Sequence, residues 1–537
     1  MNLQAQKIQN AFSNRNTVYI LLTFVLLVYL FNGIQYLQAQ SINSDELSFY
    51  DYAKRFLRGN PERVDPITDN SKMPVSVLNT IPRLIEQFQQ PGLQKSDFGL
   101  SDILNGRYVT LFASCFTILL VFQWSSELYG RVAGLFAAFL MAFCPNNLAN
   151  ASFVTTDSYS VLAILTCMYT CHNFFRTGKW SWFVIFSTSV ALSQLVKQSL
   201  FHLYVLIPLL FLIAYVAIKP KVNAPLIIAH ILAFILINWL IINSGYYFYE
   251  TNTALGEYEF SSKMFVSIQQ WLPSWLPIPL PSPFVTGLDM AKYYDQLGGG
   301  YPGISSFGKV TILGNESTGG SFWYYYLVSI FFKTPIAYFI IFIAAAVAYV
   351  RNGSLKHFAA NEFFLLLPPL YYLLILSFCY NTQCGLRHLI FIYPFLFIFS
   401  SSIIARVKSR TQIFLLVLLS IYLIISVSIY ARNYYTYTNE FIWNKKEAYR
   451  IVGASNLDFR QGFYFYDEYL SNHPEVRIPG ENPQTGLFLV RISDYMDIWN
   501  RGTYSWLKHI KPRDHVAHSA LIIEVKTEDL KPTHRNQ

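Results

Sequence analysis

Long apolar runs broken by short polar connections dominate this sequence, and the length of each run decides what it predicts. Residues 18–37 supply the roughly 20 apolar positions a helix needs to cross a hydrocarbon core. Similar runs at about 105–125, 131–148, 158–175, 180–196, 200–218, 224–244, 323–350, 361–379, 388–405 and 411–430 raise the expectation to about eleven crossings. Three stretches are too long for simple connections: 38–105, 245–322 and the tail 431–537. In the first, Leu47, Tyr50, Ala53, Phe56 and Leu57 recur at helical spacing with Lys54, Arg55 and Arg58 opposite, which predicts a helix lying in the interface, and a second such helix is expected in the same loop. In the second, proline recurs through 271–283 and excludes a helix. That aromatic segment reads as interface-seeking, either a cover over the bundle or one wall of a groove for a lipid tail. In the tail, 486–490 and 520–525 read as strands. The predicted fold is an all-α polytopic membrane domain over 1–430 followed by a small α/β extramembrane domain over 431–537.

Composition agrees. The 537 residues are 53% hydrophobic, 17% aromatic and 13% charged, with mean hydropathy +0.31, far from the roughly 25% charged of soluble proteins. The formal charge of +9 is distributed unevenly. Lys7 and Arg15 precede the first run, and Arg131, Arg176, Lys179, Lys219, Lys221, Arg351, Lys356, Arg406, Lys408 and Arg410 fall in connections on that same side. The short outer loops contain almost no Lys or Arg apart from Lys197 and Arg387. Basic loops stay in the cytoplasm, so the N-terminus is expected inside and the tail outside, in a cell inner membrane. The first run is too long for a signal-peptide core and reads as a retained anchor.

Cys115, Cys167 and Cys171 fall within the apolar runs and Cys144 at the end of one, where a small buried hydrophobe is the ordinary role. Cys379 and Cys384 flank a short outer loop and could pair in an oxidising compartment. The sequence has no Walker or dinucleotide glycine pattern, no metal-finger spacing and no seryl nucleophile elbow, which argues against ATP-driven transport and serine hydrolysis.

Ionisable residues beside a bilayer are costly and mark function. Asp45 and Glu46 stand together just after the first run, followed by Lys72-Met73-Pro74, then Asp157 and then Arg387-His388, and the topology places all of them on the outer side. Each has a plainer role available: helix capping for Asp45, Glu46 and Asp157, snorkelling to headgroups for Lys72 and Arg387, and packing for His388.

These blocks resemble the GT-C glycosyltransferases, in particular the protein O-mannosyltransferase and aminoarabinose-transferase group that uses polyprenyl-phosphate sugars. Asp45-Glu46 with Lys72-Met73-Pro74 resembles that group's first outer loop, Gly130-Arg131 opens a span as in the group, and Thr155-Thr156-Asp157 resembles its second acidic site. Leu313-Gly314-Asn315-Glu316, Lys333-Thr334-Pro335, Gly385-Leu386-Arg387-His388 with Tyr393-Pro394, and Ser455-Asn456-Leu457-Asp458 resemble late blocks of bacterial members. The resemblance implies transfer of a sugar from a polyprenyl-phosphate donor to a hydroxyl on a protein, glycolipid or polysaccharide. Asp45 is then the expected base, assisted by Glu46 and Asp157, with Lys72, Arg387 and His388 at the donor phosphate. A divalent metal ion is a candidate cofactor. Against it, Ser71-Lys72-Met73-Pro74 lacks the acidic residue that aminoarabinose-type members carry before the lysine. Asp458-Phe459-Arg460-Gln461 also replaces the usual Asp-Trp-Gly-Gln.

Rival classes are an oligosaccharide ligase or polymerase using a diphosphate-linked donor, a secondary transporter and a membrane scaffold. A transporter should show paired broken helices in two related halves with midplane charges. The ionisable residues here cluster at one surface instead, and a scaffold leaves the acidic pair unexplained.

Overall fold

The computed structural model describes residues 15–65, 68–89, 100–218, 224–298, 308–352, 355–407 and 409–530. Lys7, Lys219, Lys221 and Lys408, which enter the charge asymmetry, lie outside the described residues. All eleven apolar runs are helical, but the count of about eleven crossings is not carried. Among the described residues five helices are long and apolar enough to span: Arg15–Ala39, Ser101–Tyr129, Gln198–Val216, Ala224–Gly245 and Arg410–Ser428. Two bent pairs raise the number to seven.

The bends have a common cause. Arg131–Ala142 and Pro145–Ala151 meet at 65°, and Tyr325–Lys333 and Ile336–Arg351 at 105°. A residue before proline is pushed out of the helical region, and Cys144 (ψ 112°) before Pro145 and Thr334 (φ −113°, ψ 131°) before Pro335 sit there. The runs 131–148 and 323–350 are therefore broken helices, not single straight crossings. Trp180–Ser193, Phe363–Phe378 and Ile392–Arg406 are shorter apolar helices. Asp157–Thr177 buries Ser160, Thr170, His172 and Asn173 along with its apolar residues.

The chain is a multi-pass membrane protein. Lipid offers no hydrophobic drive between helices, so close packing and polar contacts hold them. At Gly134 an added Cβ would meet the Phe122 carbonyl at 2.6 Å, so Arg131–Ala142 approaches Leu100–Tyr129 as only a glycine allows. Tyr29 and Ser114 hydroxyls lie 2.7 Å apart, Asn147 donates to Tyr29 at 3.0 Å, and Ser125 meets Ser401 at 2.6 Å.

The first long loop contains helices Glu46–Leu57 and Ile81–Gln89. The buried face of the first is Phe49, Tyr50, Tyr52, Ala53 and Phe56; Leu47 and Leu57, expected on the apolar stripe, are exposed. In the second long loop, helix Lys263–Trp271 buries none of its residues, and Trp271 and Trp275 are 89% and 73% exposed. The end of the segment touches the bundle, where Asn243 of helix Ala224–Gly245 donates to the Pro279 carbonyl at 3.3 Å and Leu280 packs on the cluster that includes Ile242 and Tyr246. Leu255 N–H donates to the Leu276 carbonyl and Gly256 N–H to that of Ser274, both at 2.8 Å, clipping the segment to its own loop. Helix Ser282–Gln296 follows, with Pro283 in its first turn, where its missing N–H costs nothing.

Strands β1 (Lys309–Ile312) and β2 (Asn315–Thr318) form a hairpin that bonds to the tail, Lys309 N–H to Ile498 O and Leu313 N–H to Ile451 O, both at 3.0 Å. The tail holds β3 (Val476–Arg477), β4 (Gly486–Arg491), β5 (Asp514–Val516) and β6 (Ala520–Val525) in the order β3-β4-β6-β5. β3 and β4 are parallel and the other pairs antiparallel. Cys379 and Cys384 are both free thiols.

Candidate active site

Asp45 is the N-cap residue of helix Glu46–Leu57, yet its side chain makes no cap hydrogen bond. Asn43 does that work. Its Oδ1 accepts the N–H groups of Asp45 at 2.9 Å and Glu46 at 3.1 Å, while Glu46 Oε2 accepts the Asn43 N–H at 2.9 Å, a reciprocal arrangement like a capping box. With the helix start satisfied, the Asp45 carboxylate is free to face the centre of the protein. There Oδ2 accepts from Arg387 Nη1 at 2.7 Å, and the side chain keeps 26% of its surface exposed.

Arg387 arrives from a turn just before helix Ile392–Ser401. Besides Asp45, it donates Nε to the Cys384 carbonyl at 3.2 Å and lies 4.0 Å from Asp157 Oδ2. Asp157 in turn accepts from Lys197 Nζ at 2.5 Å. Charges therefore alternate across the site: Asp45, Arg387, Asp157, Lys197. His388 adjoins the same group, within electrostatic reach of Lys197, Arg387 and Asp157.

Lys72 completes the cluster from the first loop. It is buried, with Nζ 3.7 Å from the centre of the Phe49 ring and 3.2 Å from Ser71 Oγ. Neighbouring Asp69 is already claimed by Arg55, at 2.8 and 2.7 Å. Among the described residues no carboxylate lies within ion-pair distance of Lys72. Burial pushes its ammonium down to about 8 despite the opposing pull of Asp45 and Asp69. Burial alone would raise the Asp45 carboxyl, but Arg387 and Lys72 outweigh it and hold the group below the usual carboxylate range.

Glu46 does not join this group. Adjacent helical residues point about 100° apart, and its carboxylate turns into the protein, fully buried. It takes Arg107 Nε at 2.7 Å and Nη2 at 2.6 Å, and the Val154 N–H at 3.0 Å. Arg107 also binds the carbonyls of Leu37, Gln40 and Ser41 at 2.9, 2.8 and 2.7 Å. Glu46 and Arg107 therefore lock the first loop to the end of helix Arg15–Ala39, and the Glu46 carboxylate points away from Asp45, Arg387 and Asp157.

The donor set does not fit a protein-held divalent ion. Asp45 and Asp157 are each committed to a cation, and among the described residues no three His, Cys, Asp or Glu side chains converge.

Sequence reasoning missed Lys197 and Lys333 beside the site, and Arg107 as the partner of Glu46. Lys333 is buried at the bend of the broken helix and donates to the carbonyls of Tyr435 and Asn456, both at 2.6 Å, tying that bend to the tail beside Arg387. Arg460 keeps a left-handed backbone, φ 66°, where the resembled pattern has glycine, and its N–H is held by Asp458 Oδ1 at 2.9 Å.

Residues 98–242, which hold Arg107, Asp157 and Lys197, match the family model described as dolichyl-phosphate-mannose-protein mannosyltransferase. In three dimensions the chain is similar to the apo crystal structure of the Archaeoglobus fulgidus oligosaccharyltransferase, with TM-score 0.50 and 13% identity over 85% of this chain and 60% of that one. It thus spans about 60% of that protein's length. Comparison with the crystal structure of ArnT from Cupriavidus metallidurans, bound to undecaprenyl phosphate, gives TM-score 0.49 and 10% identity over 97% of this chain and 99% of that one. No curated protein matches by sequence.

Proposed function

We propose that this chain, which has the GT-C fold of membrane glycosyltransferases, moves a sugar from a polyprenyl-phosphate donor to a hydroxyl acceptor on the extracytoplasmic side, with inversion at the anomeric carbon. The observation that carries the proposal is Lys72: a buried cation without a carboxylate partner among the described residues, beside the Asp45–Arg387 pair. Such a charge is stabilised by an incoming anion, and a phosphate brings one.

The acceptor oxygen attacks the anomeric carbon as the bond from that carbon to the phosphate oxygen breaks. Asp45 takes the hydroxyl proton. The electrons of the broken bond leave on the lipid phosphate, where Lys72 and Arg387 stabilise the growing charge. A phosphate that engages Arg387 draws the guanidinium away from Asp45 and so restores the basicity that the resting pair suppresses. Asp157, held by Lys197, keeps a second carboxylate behind Arg387 during that exchange. Glu46 offers no free oxygen for a covalent intermediate, so a single displacement follows and the centre inverts.

Undecaprenyl phosphate titrated into the purified protein tests the donor site. Lys72→Gln and Arg387→Gln are each expected to weaken binding by roughly 10- to 100-fold, the loss of one charged hydrogen bond. Unchanged binding in both variants places the leaving-group site elsewhere. The sign of the pH dependence follows from Lys72. Its cationic form prevails below about 8, so binding should weaken as pH rises through that value, and Lys72→Arg should flatten the profile.

Orientation has its own test. Reporters fused after Asn381 and after residue 530 should both report the extracytoplasmic side. A cytoplasmic signal at either site reverses the assigned face.

A further inference from the structure

The tail reaches the site through residues 455–461. On one side Asn456 Oδ1 accepts the Leu386 N–H at 2.8 Å, and the Ser455 carbonyl crowds Gly385 so closely that a Cβ there would meet it at 2.7 Å. These contacts set the turn that carries Arg387. On the other side the carbonyls of Phe459 and Gln461 accept the N–H groups of Ser44 at 3.3 Å and Ser41 at 3.0 Å, setting the loop that carries Asp45.

Phe459 takes part in both. Its carbonyl holds the residue before Asp45, and its ring lies under the Arg387 guanidinium, with Cζ 4.1 Å from the ring centre. The ring is fixed in turn by Tyr435, stacked at 5.5 Å and 21°, and by Phe153 edge-on at 6.0 Å. An aromatic face attracts a guanidinium and fixes its plane while leaving the in-plane N–H groups free for oxygen acceptors. Arg387 has one strong side-chain tether, to Asp45, and a phosphate would compete for it. The ring, the Cys384 carbonyl and the more distant Asp157 are the contacts that survive that exchange, and of these the ring alone fixes the plane of the guanidinium.

We infer that Phe459 is a positioning residue for the Asp45–Arg387 pair, so that the C-terminal domain completes the donor site. This inference rests on the donor reading above. Its test is binding of undecaprenyl phosphate to the full-length protein. Phe459→Leu keeps an apolar side chain but removes the π face, and should weaken binding roughly 2- to 30-fold. Phe459→Trp and Phe459→Tyr should restore it. Phe459→Met is expected to behave as Leu does, and replaces it if the Leu variant does not fold. In an Arg387→Gln background Phe459→Leu should cost nothing further, whereas in a Lys72→Gln background its full effect should remain. Equal losses in both backgrounds, wild-type binding by folded Phe459→Leu, or failure of both aromatic replacements overturns the inference. Failure of the wild-type protein itself to bind overturns the donor reading instead.

Discussion

Asp45→Asn is expected to lower turnover by about 10² to 10⁴, the usual cost of losing a general base, while leaving the protein folded and its donor site intact. Three features make that separation clean. The Asp45 side chain makes no cap hydrogen bond, because Asn43 satisfies the helix start. Its partner Arg387 is itself partly exposed, at 15%, so breaking the pair does not leave a fully enclosed charge. Arg387 retains Asp157 at 4.0 Å and the Phe459 ring at 4.1 Å, so it keeps its place. Removing one negative charge from beside Lys72 and Arg387 should, if anything, tighten binding of a lipid phosphate. Single-turnover transfer and undecaprenyl phosphate binding, measured on the same preparation, should therefore move in opposite directions. Undiminished transfer in folded Asp45→Asn protein removes the residue from the mechanism.

Much of this arrangement is legible in the sequence, and what is not has definite physical reasons. Run length and turn chemistry locate the helices and the tail strands at 486–490 and 520–525, because both signals are local. The number of crossings is not local. Runs 131–148 and 323–350 look continuous by hydropathy, but Pro145 and Pro335 break them, and the rule that the residue before a proline leaves the helix would have found both bends.

The site residues divide the same way. Asp45, Asp157 and Arg387 stand out because each is a charge near the end of an apolar run, and Lys72 because it opens the Lys72-Met73-Pro74 block of the first outer loop. Lys197 carries a signal of the same kind as Arg387, since these two are the basic residues of the short outer loops, and they flank Asp157 in the candidate site. Phe459 had a weaker signal, as the residue standing where the resembled block has tryptophan. In sequence it is one aromatic among 45 phenylalanines, and its importance comes only from meeting Arg387 and Ser44 in space. The placing of Glu46 is not legible, because adjacency in sequence suggests a shared task, whereas a helix start sends two neighbouring carboxylates in different directions.

That divergence yields the sharpest contrast available in the molecule. Glu46→Gln or Arg107→Met removes one partner of a fully buried bidentate pair and leaves the other charge uncompensated, which typically costs about 3–5 kcal/mol. The damage should be structural. Arg107 would lose its grip on the Leu37, Gln40 and Ser41 carbonyls, and the loop bearing Asp45 would detach from the first helix. Thermal unfolding in detergent should show each single variant markedly destabilised. The double variant Glu46→Leu with Arg107→Met should be less destabilised than the two single losses added together, since it leaves no unpaired charge in the interior. Asp45→Asn, one residue away, should unfold close to the wild-type temperature. If Glu46→Gln instead unfolds like the wild type but loses turnover, its carboxylate acts on substrate, and the division of labour between these two neighbours is the reverse of the one the geometry supports.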